Sequence, residues 1–376
     1  MNRIENLLTR ISKLDDEERM GLAYETTDIE VLNILAEDTE PYVREFVAKN
    51  CSATDIILDK LSKDKKVFIR DTVARNPTTS NRILDKLADD EEWEVRCEVA
   101  QNAQTDSDTL DKLSRDSERS VCCFVAKNAN TSLKTLSFLA SSKDKNVQAS
   151  VANNPAASIE ILDELAESGN LAVICNVAHN KNTSIDTLKK LAINEDEIIR
   201  CDVAENPTAN AELLAEMAND ESAYVRSMVA GNSNTPSDVL IKLANDKESV
   251  VREAVAKNRN TPSKILDKLS NDEEDCVRVA VAQNENTPVG TLSYLAQDDN
   301  KWVRLFVIGN LNTSIETLAE LAKDVDFDVR YAVAGNKNTS VETLVFLSKD
   351  NNEWVSKAAI KALSKGKEKS KNYIER

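Results

Sequence analysis

The feature that most constrains this sequence is an asparagine that returns at one constant interval, without an insertion or deletion between its copies. It closes variants of one phrase, Val-Arg-x-x-Val-Ala-x-Asn, as in residues 251–258. A fixed period of this kind indicates a repeat protein, in which each unit packs only on its neighbours. We therefore expect one continuous stack instead of the two or three globular domains that 376 residues would otherwise suggest. The series is Asn50, Asn76, Asn102, Asn128, Asn154, Asn180, Asn206, Asn232, Asn258, Asn284, Asn310 and Asn336.

The spacing of apolar residues within each repeat predicts two short helices. Two Val residues four apart, such as Val43 and Val47, share one helix face, and so do two Leu residues three apart, such as Leu58 and Leu61. We call the first the Val-Arg helix and the second the Leu helix. The pattern predicts an all-α fold, an α-solenoid superhelix of about twelve 26-residue, two-helix repeats with a cap at each end.

Polar residues at fixed positions predict where these helices begin. Thr stands three residues after the Asn in nine repeats, for example Thr105, where we expect its hydroxyl to cap the Leu helix. Asp108 would then complete a capping box. In three repeats Pro follows the Thr, at the expected first helical position. An Asp such as Asp64 precedes most Val-Arg helices and is expected to cap them. The prolines are Pro236, Pro262 and Pro288.

Two further columns have structural interpretations. The Asn either closes the Val-Arg helix in a left-handed conformation, or donates its amide to the backbone of the next repeat and so forms a ladder. Both alternatives are open from the sequence. An Arg such as Arg70 follows most of the Asp residues by six positions. Two repeats lack both residues and carry Ser142 with Gln148 and Ser168 with Ile174. Two others lack only one, with Asp116 before Cys122 and Asn194 before Arg200. The mostly joint loss favours pairing of the two side chains along the stack.

Composition limits the class of partner and the compartment. A net charge of −17 argues against a nucleic-acid partner, because binding to a phosphate backbone depends on Lys and Arg. The sequence has no apolar run of transmembrane length, and the charged segment from Met1 to Leu14 does not resemble a signal peptide. Seven cysteines, an odd number, do not fit a secreted disulfide framework. We expect a cytoplasmic protein without membrane contact.

The complete phrase resembles the bacterial leucine-rich repeat variant. Val-Arg-x-x-Val-Ala-x-Asn is followed by Thr-Pro or Thr-Ser, by Leu-x-x-Leu-Ala and by Asp, over residues 22–362. Asp followed by Val-Arg also resembles a HEAT repeat. Ordinary leucine-rich repeats are excluded, because they place a strand ahead of their Asn. The resemblance implies paired short helices, one of which can be 3₁₀, without a sheet. A founding family member carries an iron–sulfur cluster near its N-terminus, but here the first cysteine is Cys51, inside a repeat, so we expect no cofactor.

The repeat boundaries predict four segments. Residues 1–21 are an N-terminal capping helix, residues 22–350 the solenoid, residues 351–364 a C-terminal capping helix, and residues 365–376 a basic, mobile tail with four lysines. Altered ends are expected, because a solenoid has to shield its terminal faces from solvent.

Partner recognition is expected in columns that vary between repeats, because the structural columns are constant. The fourth residue before the Asn varies freely, and the residue directly before the Asn is often basic. Together they predict a mixed apolar and basic stripe for an acidic peptide or helix; the alternative is a half-buried column without function. Residues 142–174 are either a flexible notch or neutral drift. The candidate partner-binding residues are Phe46, Lys49, Arg75, Phe124, Lys127, His179, Met228, Lys257 and Phe306.

Nothing in the sequence predicts catalysis or metal binding. Cys97, Cys123, Cys175 and Cys201 share one column, but helices packed roughly 8–10 Å apart cannot place successive thiolates about 2.3 Å from one zinc ion. A single histidine cannot supply a triad, and the seven scattered glycines form no phosphate loop. The predicted function is a non-enzymatic scaffold for a protein or peptide. The alternatives are a HEAT-like enzyme accessory resembling lyase or DNA-repair folds, and a nucleic-acid-binding solenoid.

Overall fold

The structure, a computed structural model, describes residues 3–374, with side chains described as far as residue 365. Within that range it contains 28 helices and no strand, which confirms the all-α prediction. The chain divides after Thr187 into two compact units. Both helices of each repeat are α-helices, so the 3₁₀ helix that the family resemblance allows is replaced by a seven- or eight-residue α-helix.

The first unit begins with α1 (Arg3–Ile11), which packs on the Leu helix α3. Its Val-Arg helices are α2 (Asp16–Glu25), α4 (Pro41–Lys49), α6 (Val67–Arg75), α8 (Trp93–Gln101), α10 (Arg119–Lys127), α12 (Lys145–Ala152) and α14 (Leu171–His179). Its Leu helices are α3 (Ile29–Leu35), α5 (Asp55–Leu61), α7 (Asn81–Leu87), α9 (Ser107–Leu113), α11 (Leu133–Ala140) and α13 (Ile159–Ala166).

The second unit repeats the same pair of helices. The Val-Arg helices are α16 (Glu197–Glu205), α18 (Ala223–Gly231), α20 (Ser249–Lys257), α22 (Asp275–Gln283), α24 (Lys301–Gly309), α26 (Phe327–Gly335) and α28 (Glu353–Ile374). The Leu helices are α17 (Ala211–Met217), α19 (Ser237–Leu243), α21 (Ser263–Leu269), α23 (Val289–Leu295), α25 (Ile315–Leu321) and α27 (Val341–Leu347). Helix α15 (Ile185–Leu191) contains the boundary between the units.

The core of each unit consists of the predicted Val and Leu pairs. Val43, Val47, Leu58 and Leu61 are almost completely buried, and the equivalent residues are buried in the other repeats. Successive Val-Arg helices pack directly on one another, from α2 to α14 and from α16 to α28. Each buried Val or Leu contributes about 1.5–3 kcal/mol relative to an exposed side chain. The repeated spacing therefore specifies a continuous apolar core within each unit.

The Asn column forms a ladder along each unit. The amide of Asn76 donates to the carbonyls of Ala48 (2.7 Å) and Asn50 (3.2 Å), and its own carbonyl accepts the N–H of Thr78 (2.8 Å). The ladder interpretation is thus correct, but the bonds go to the preceding repeat, not to the next. The left-handed interpretation is wrong, because Asn76 has φ −65° and ψ 125°. An Asn in an extended conformation turns the chain out of its helix. Its amide then points toward the carbonyls at the C-terminal end of the preceding Val-Arg helix.

The prediction that Thr caps the Leu helix is wrong by one residue. The hydroxyl of Thr105 donates back to the carbonyl of Val99 (2.6 Å), so it satisfies the end of the Val-Arg helix. The next residue, Asp106, accepts the N–H of Thr109 (2.9 Å) and is the cap. The expected capping box of Thr105 with Asp108 is therefore absent, and Pro236 occupies the cap position instead of the first helical position. A hydroxyl at the junction of two helices can serve either one, and spacing alone does not choose between them.

The Asp and Arg columns pair along the stack as predicted, in a register that the sequence did not reveal. Arg44 donates from Nε and Nη2 to the carboxylate of Asp64, one repeat further on, at 2.7 and 3.1 Å. Its Nη1 donates to the carbonyl of Asp38 (2.7 Å). Asp64 does not cap the helix directly; it accepts the N–H of Lys66, which is the cap residue itself (2.9 Å). Each Arg therefore joins the entry loops of two successive repeats.

This register explains where the pair is missing. Because an Arg pairs with the Asp of the following repeat, the positions without a pair within the first unit are Cys122 with Ser142 and Gln148 with Ser168. Both members are absent in each case, which leaves no half-broken pair. Cys122 donates to the carbonyls of Ser114 (3.4 Å) and Asp116 (3.5 Å). Gln148 donates to the carbonyl of Ala140 (3.0 Å) and accepts from Lys145 Nζ (3.0 Å). The stretch 142–174 thus lies within a gap in the series of ion pairs.

The two ends depart from the repeat. The predicted N-terminal segment, residues 1–21, covers α1 and the first part of α2, and Arg19 of α2 already pairs with Asp38 (2.7 Å). At the other end α28 is anchored by the buried Val355 and Ala359. This one helix covers nearly all of the predicted cap (351–364) and continues into the predicted basic tail (365–376), whose last two residues lie outside the described range.

Candidate functional site

The two variable columns lie in the last turns of the Val-Arg helices and border the surface. We call them the groove columns: the fourth residue before each Asn, and the residue directly before it. In the first of these, Phe46, Phe124 and Met228 are half-buried and Phe306 is exposed. In the second, the predicted residues are all exposed: Lys49, Arg75, Lys127, His179 and Lys257. A helical spacing of three residues places each such pair on one side of its helix.

In the first unit the groove columns combine an aromatic ring with an ammonium group. Lys49 Nζ lies 4.9 Å from the ring centroid of Phe46, and Lys127 Nζ lies 5.8 Å from that of Phe124. Tyr24 meets Phe46 edge to face at 6.0 Å. The stem of a Lys can cover an aromatic ring while its charge stays in water. These positions therefore present small apolar surfaces that a partner reaches once the Lys side chain moves aside.

Much of the predicted basic charge is neutralised within the chain. Arg75 forms two bonds with Glu98, at 3.1 and 3.0 Å, and a third with Asp71 at 2.9 Å. Lys49 pairs with Glu45 at 2.5 Å, and in the second unit Lys257 pairs with Glu253 at 2.5 Å. These are surface pairs of modest strength. They leave little net positive charge along the groove columns and reduce the attraction for an acidic partner.

In the second unit the groove columns enclose a real depression. A groove of about 530 Å³ lies between α18 and α20, and Met228 and Lys257 both line it. Its surface includes Gly231, Val250 and Ala254. A methyl group added at Gly231 would meet no heavy atom within 4 Å, so the missing side chain leaves the groove open. Phe306, the third predicted residue of this unit, lies two Val-Arg helices away on α24 and does not line it.

His179 is exposed in the last turn of α14, beside the position where the Asn ends the helix. It shares its column with Lys127, two repeats earlier. Its side chain is available to a partner, and no second histidine exists in the chain.

A third exposed column was missed from the sequence. We call it the edge column: the eighth residue before each Asn, near the start of the Val-Arg helix. It places Tyr42 and Phe68 side by side in the first unit, with stacked rings 5.5 Å apart. In the second unit it holds Ile198, Tyr224 and Trp302, all exposed. The signal in the sequence is an apolar residue directly before the first Val of the Val-Arg phrase. It lies on a helix face that contributes no residue to the core.

Two thiols of the shared cysteine column are poor nucleophiles. Burial raises the pKa of the Cys97 thiol to about 12 and that of Cys201 to about 11, so both remain protonated at neutral pH and are poor nucleophiles. Cys123 and Cys175 are half-buried in the same column. Across residues 3–365, no three His, Cys, Asp or Glu side chains lie close enough together to hold a metal ion.

None of the helices between residues 3 and 374 combines the length and the apolar character needed to span a bilayer.

No protein-family model matches the sequence, and no curated protein matches it. Among solved structures, a leucine-rich repeat variant with a novel repetitive motif is 23% identical, with 66% of this chain and 88% of that chain covered and a TM-score of 0.40. Yeast importin-β, Kap95p, is 11% identical, with 90% of this chain and 60% of that chain covered and a TM-score of 0.40. A structure of the Pds5–Scc1 complex is 14% identical, with coverages of 96% and 72% and a TM-score of 0.29. The leucine-rich repeat variant named from the sequence is thus among the structures similar to this chain.

Proposed function

We propose that this protein is a non-enzymatic scaffold that binds a protein or peptide partner along the variable face of its Val-Arg helices. The observation that carries the proposal is the open groove between α18 and α20, where Met228 and Lys257 of successive repeats line one depression. A concave surface with apolar walls and a few polar groups is the usual form of a binding site.

The division of labour between columns supports a binding role. The Asn, Thr, Asp and Arg columns are occupied by bonds that hold the repeats together, such as Asn258 to Ala230 (2.7 Å) and Arg252 to Asp272 (2.6 Å). The groove columns make no comparable bond that recurs in every repeat. Their residue type changes from one repeat to the next, between extremes such as Gly and Phe. Positions that vary while their scaffold stays constant are where recognition is expected.

The neutralised basic side chains bear on the alternatives. A nucleic-acid binder is expected to present an unpaired line of Lys and Arg, whereas Lys49, Arg75 and Lys257 all pair with carboxylates of their own unit. Burial raises the pKa of the Cys97 and Cys201 thiols, which makes them poor nucleophiles and does not favour an enzymatic role. A protein partner that meets both apolar and charged groups is the class that these columns favour. A reducing compartment such as the cytoplasm fits the seven cysteines, which form no disulfide within the described residues.

The test is to fill the groove with residues that the same columns already carry elsewhere. Ala254→Phe and Gly231→Lys reproduce Phe124 and Lys127, so the fold is expected to accept both. Ile241→Lys on the Leu helix α19 is the matched control, because it adds the same charge at an exposed position outside the groove. Tagged full-length proteins are used to capture partners from the native lysate, followed by mass spectrometry and circular dichroism.

We expect a partner that the unmodified protein and the Ile241→Lys control retain equally, and that the filled-groove variant retains at least about tenfold less, with unchanged helical signal. Equal retention by the filled-groove variant would place the binding face elsewhere. Retention of nothing above background by any of the three proteins would contradict the scaffold function itself.

A further inference from the structure

The edge column of the second unit forms an exposed apolar stripe with an acidic border. We define the edge stripe as Ile198, Tyr224, Val250, Cys276 and Trp302, one residue from each of α16, α18, α20, α22 and α24. The exposed fractions are 54% for Ile198, 63% for Tyr224, 38% for Val250 and 58% for Trp302, and Cys276 is half-buried. Val250 also lines the groove between α18 and α20. Single exposed apolar residues are normal on a protein surface, but a contiguous row of them marks an interaction site.

The members of the stripe belong to helices in direct contact. The five helices pack in sequence within the unit. The hydroxyl of Ser227 on α18 donates to the backbone carbonyl of Val250 on α20 at 3.4 Å, so these two helices are in contact beside the stripe. Packed helices lie roughly 8–10 Å apart, so the stripe is about 35 Å long. The equivalent column of the first unit is broken, because Glu94, Ser120 and Asn146 follow Tyr42 and Phe68.

Carboxylates border this stripe at the entry of four of its five helices. Three residues before four members of the stripe stand Glu195, Glu221, Glu273 and Asp299, all exposed. Glu221 and Glu273 have side chains that are 92% and 83% exposed. Each makes a long ion pair with an Arg, at 3.9 Å from Arg200 to Glu221 and 3.7 Å from Arg252 to Glu273. The border continues between repeats, since the amide of Asn300 donates to Asp275 at 2.5 Å. Two lysines interrupt this acidic border: Lys247, three residues before Val250, and Lys301, directly before Trp302. Lys301 pairs with Asp328 (3.0 Å).

We propose that the edge stripe binds a cationic amphipathic helix of a partner protein. Charge complementarity favours a positively charged partner, because an apolar row with an acidic border attracts a segment that combines apolar residues with Lys or Arg. The spacing favours a helix, because seven residues of an α-helix advance about 10.5 Å, close to the roughly 8–10 Å between packed helices. An apolar residue at every seventh position therefore meets successive members of the stripe, four of them over about 24 residues. The proposal rests on the proposed function only in assuming a protein partner.

The probe is a synthetic helix of about 24 residues, which matches the length of the stripe. It carries Leu at every seventh position, Lys on the flanks of that row, and a fluorescent label for anisotropy. One comparison peptide replaces each Lys by Glu, and a second keeps the composition but scrambles the Leu positions. Three variants of the full-length protein accompany it: a stripe variant (Tyr224→Ser with Trp302→Ser), a border variant (Glu221→Gln, Glu273→Gln and Asp299→Asn), and a control (Ile241→Ser with Ile315→Ser) on the Leu helices.

We expect the protein to bind the Leu-Lys helix and to ignore the Glu version. The stripe variant is expected to bind at least about tenfold more weakly, since exposed aromatic residues dominate such interfaces. The border variant is expected to bind several-fold more weakly and with a reduced dependence on salt. The control variant keeps the affinity of the unmodified protein.

Equal affinity of the stripe variant and the unmodified protein, or of the scrambled peptide and the regular one, would overturn the proposal, because binding would then come only from the net charge of −17. A protein that retains a lysate partner through its groove but ignores the Leu-Lys helix contradicts this inference alone. One that binds the helix but retains no lysate protein contradicts the scaffold proposal alone.

Discussion

The junctions between repeats fall into two kinds within the described residues. From α16 to α28, every junction is joined by an Arg–Asp pair, from Arg200 with Asp220 to Arg330 with Asp350. From α10 to α14 the pair is absent, yet the Asn bonds continue unchanged, as in Asn154 to Ala126 (2.7 Å) and Asn180 to Ala152 (2.7 Å). Repeats therefore stack without this ion pair, on the Asn ladder, the apolar core and individual contacts such as Lys145 Nζ to the carbonyl of Ser168 (3.1 Å). The Arg–Asp pair is an addition to the ladder and the core.

The difference has a physical basis. A buried amide that donates to two carbonyls satisfies groups that would otherwise remain unbonded, and it carries no charge to desolvate. The Arg–Asp pair gains bidentate bonds, but it has to remove two charges from water first. A pair of this kind is worth little overall when both partners are present, but losing one of them is costly. The joint absences at Cys122 with Ser142 and at Gln148 with Ser168 agree with this, because no half-pair is left behind.

The largest expected effect is the loss of an Asn, and it should be the same in both kinds of region. Asn258→Ala leaves the carbonyls of Ala230 and Asn232 without their donor, and Asn154→Ala does the same to Ala126 and Asn128. We expect each change to lower the free energy of unfolding by about 2–4 kcal/mol. Urea denaturation of the two variants measures it. A much smaller loss for Asn154→Ala would show that the gap region does not depend on its ladder.

The second prediction separates a broken pair from a missing one. Asp272→Ser leaves the buried Arg252 guanidinium without its carboxylate and is expected to cost about 2–3 kcal/mol. Adding Arg252→Gln reproduces the Gln–Ser combination of the gap and is expected to recover more than half of that loss. The same denaturation experiment compares the single and double variants. Additive losses would mean that the two side chains act independently and that joint absence has no energetic cause.

The third prediction concerns acid. Burial by itself would raise the pKa of Asp272, but the bonds from Arg252 and from the N–H of Glu274 outweigh it and lower the pKa. The pKa values of Asp220 and Asp246 are lowered in the same way. Because the folded pKa lies below the unfolded value of about 3.9, the contribution of each pair is complete above about pH 5 and is lost as the pH falls through the folded pKa.

Hydrogen exchange, corrected for its intrinsic rate, is therefore expected to show protection falling between pH 5 and pH 3 in α18 to α22 and changing less in α10 to α14. An equal fall in both regions would assign the acid sensitivity to the general charge of the chain and not to the pairs.

The smallest effect is expected from closing the gap. Gln148→Arg with Ser168→Asp restores the pairing register within the first unit, where Ser168 Oγ already accepts the N–H of Asn170 (3.3 Å) as the Asp residues do in other repeats. We expect a gain of about 0.5–1 kcal/mol, since desolvation offsets most of the attraction. Slower exchange confined to α12 and α14 would confirm it. A loss of stability would indicate that Gly169, with its φ of +65°, keeps this loop in a shape that excludes the pair.

The repeat, the two helices and their core faces follow from the sequence, because Val43 with Val47 and Leu58 with Leu61 lie at helical spacings that need no partner to interpret. The position of the Asn at the helix end follows for the same reason. The helix caps were misplaced by one residue at Thr105, since a hydroxyl between two helices can satisfy either of them. The groove columns could be found from the sequence because their residues vary between repeats. The edge column was missed because it directly precedes the first Val of the Val-Arg phrase.

The sequence by itself determined which residues form each helix, because hydrophobic spacing and turn chemistry act over a few residues. Only the tertiary structure decided which repeat each side chain bonds to. Asn76 reaches back to Ala48, and Arg44 reaches forward to Asp64, although Asp38 stands nearer to it in the sequence. In a perfect repeat every column recurs at the same interval, so the same spacing permits pairing with the repeat before or the repeat after. The direction is set by the stagger of packed helices, which exists only once the repeats have stacked.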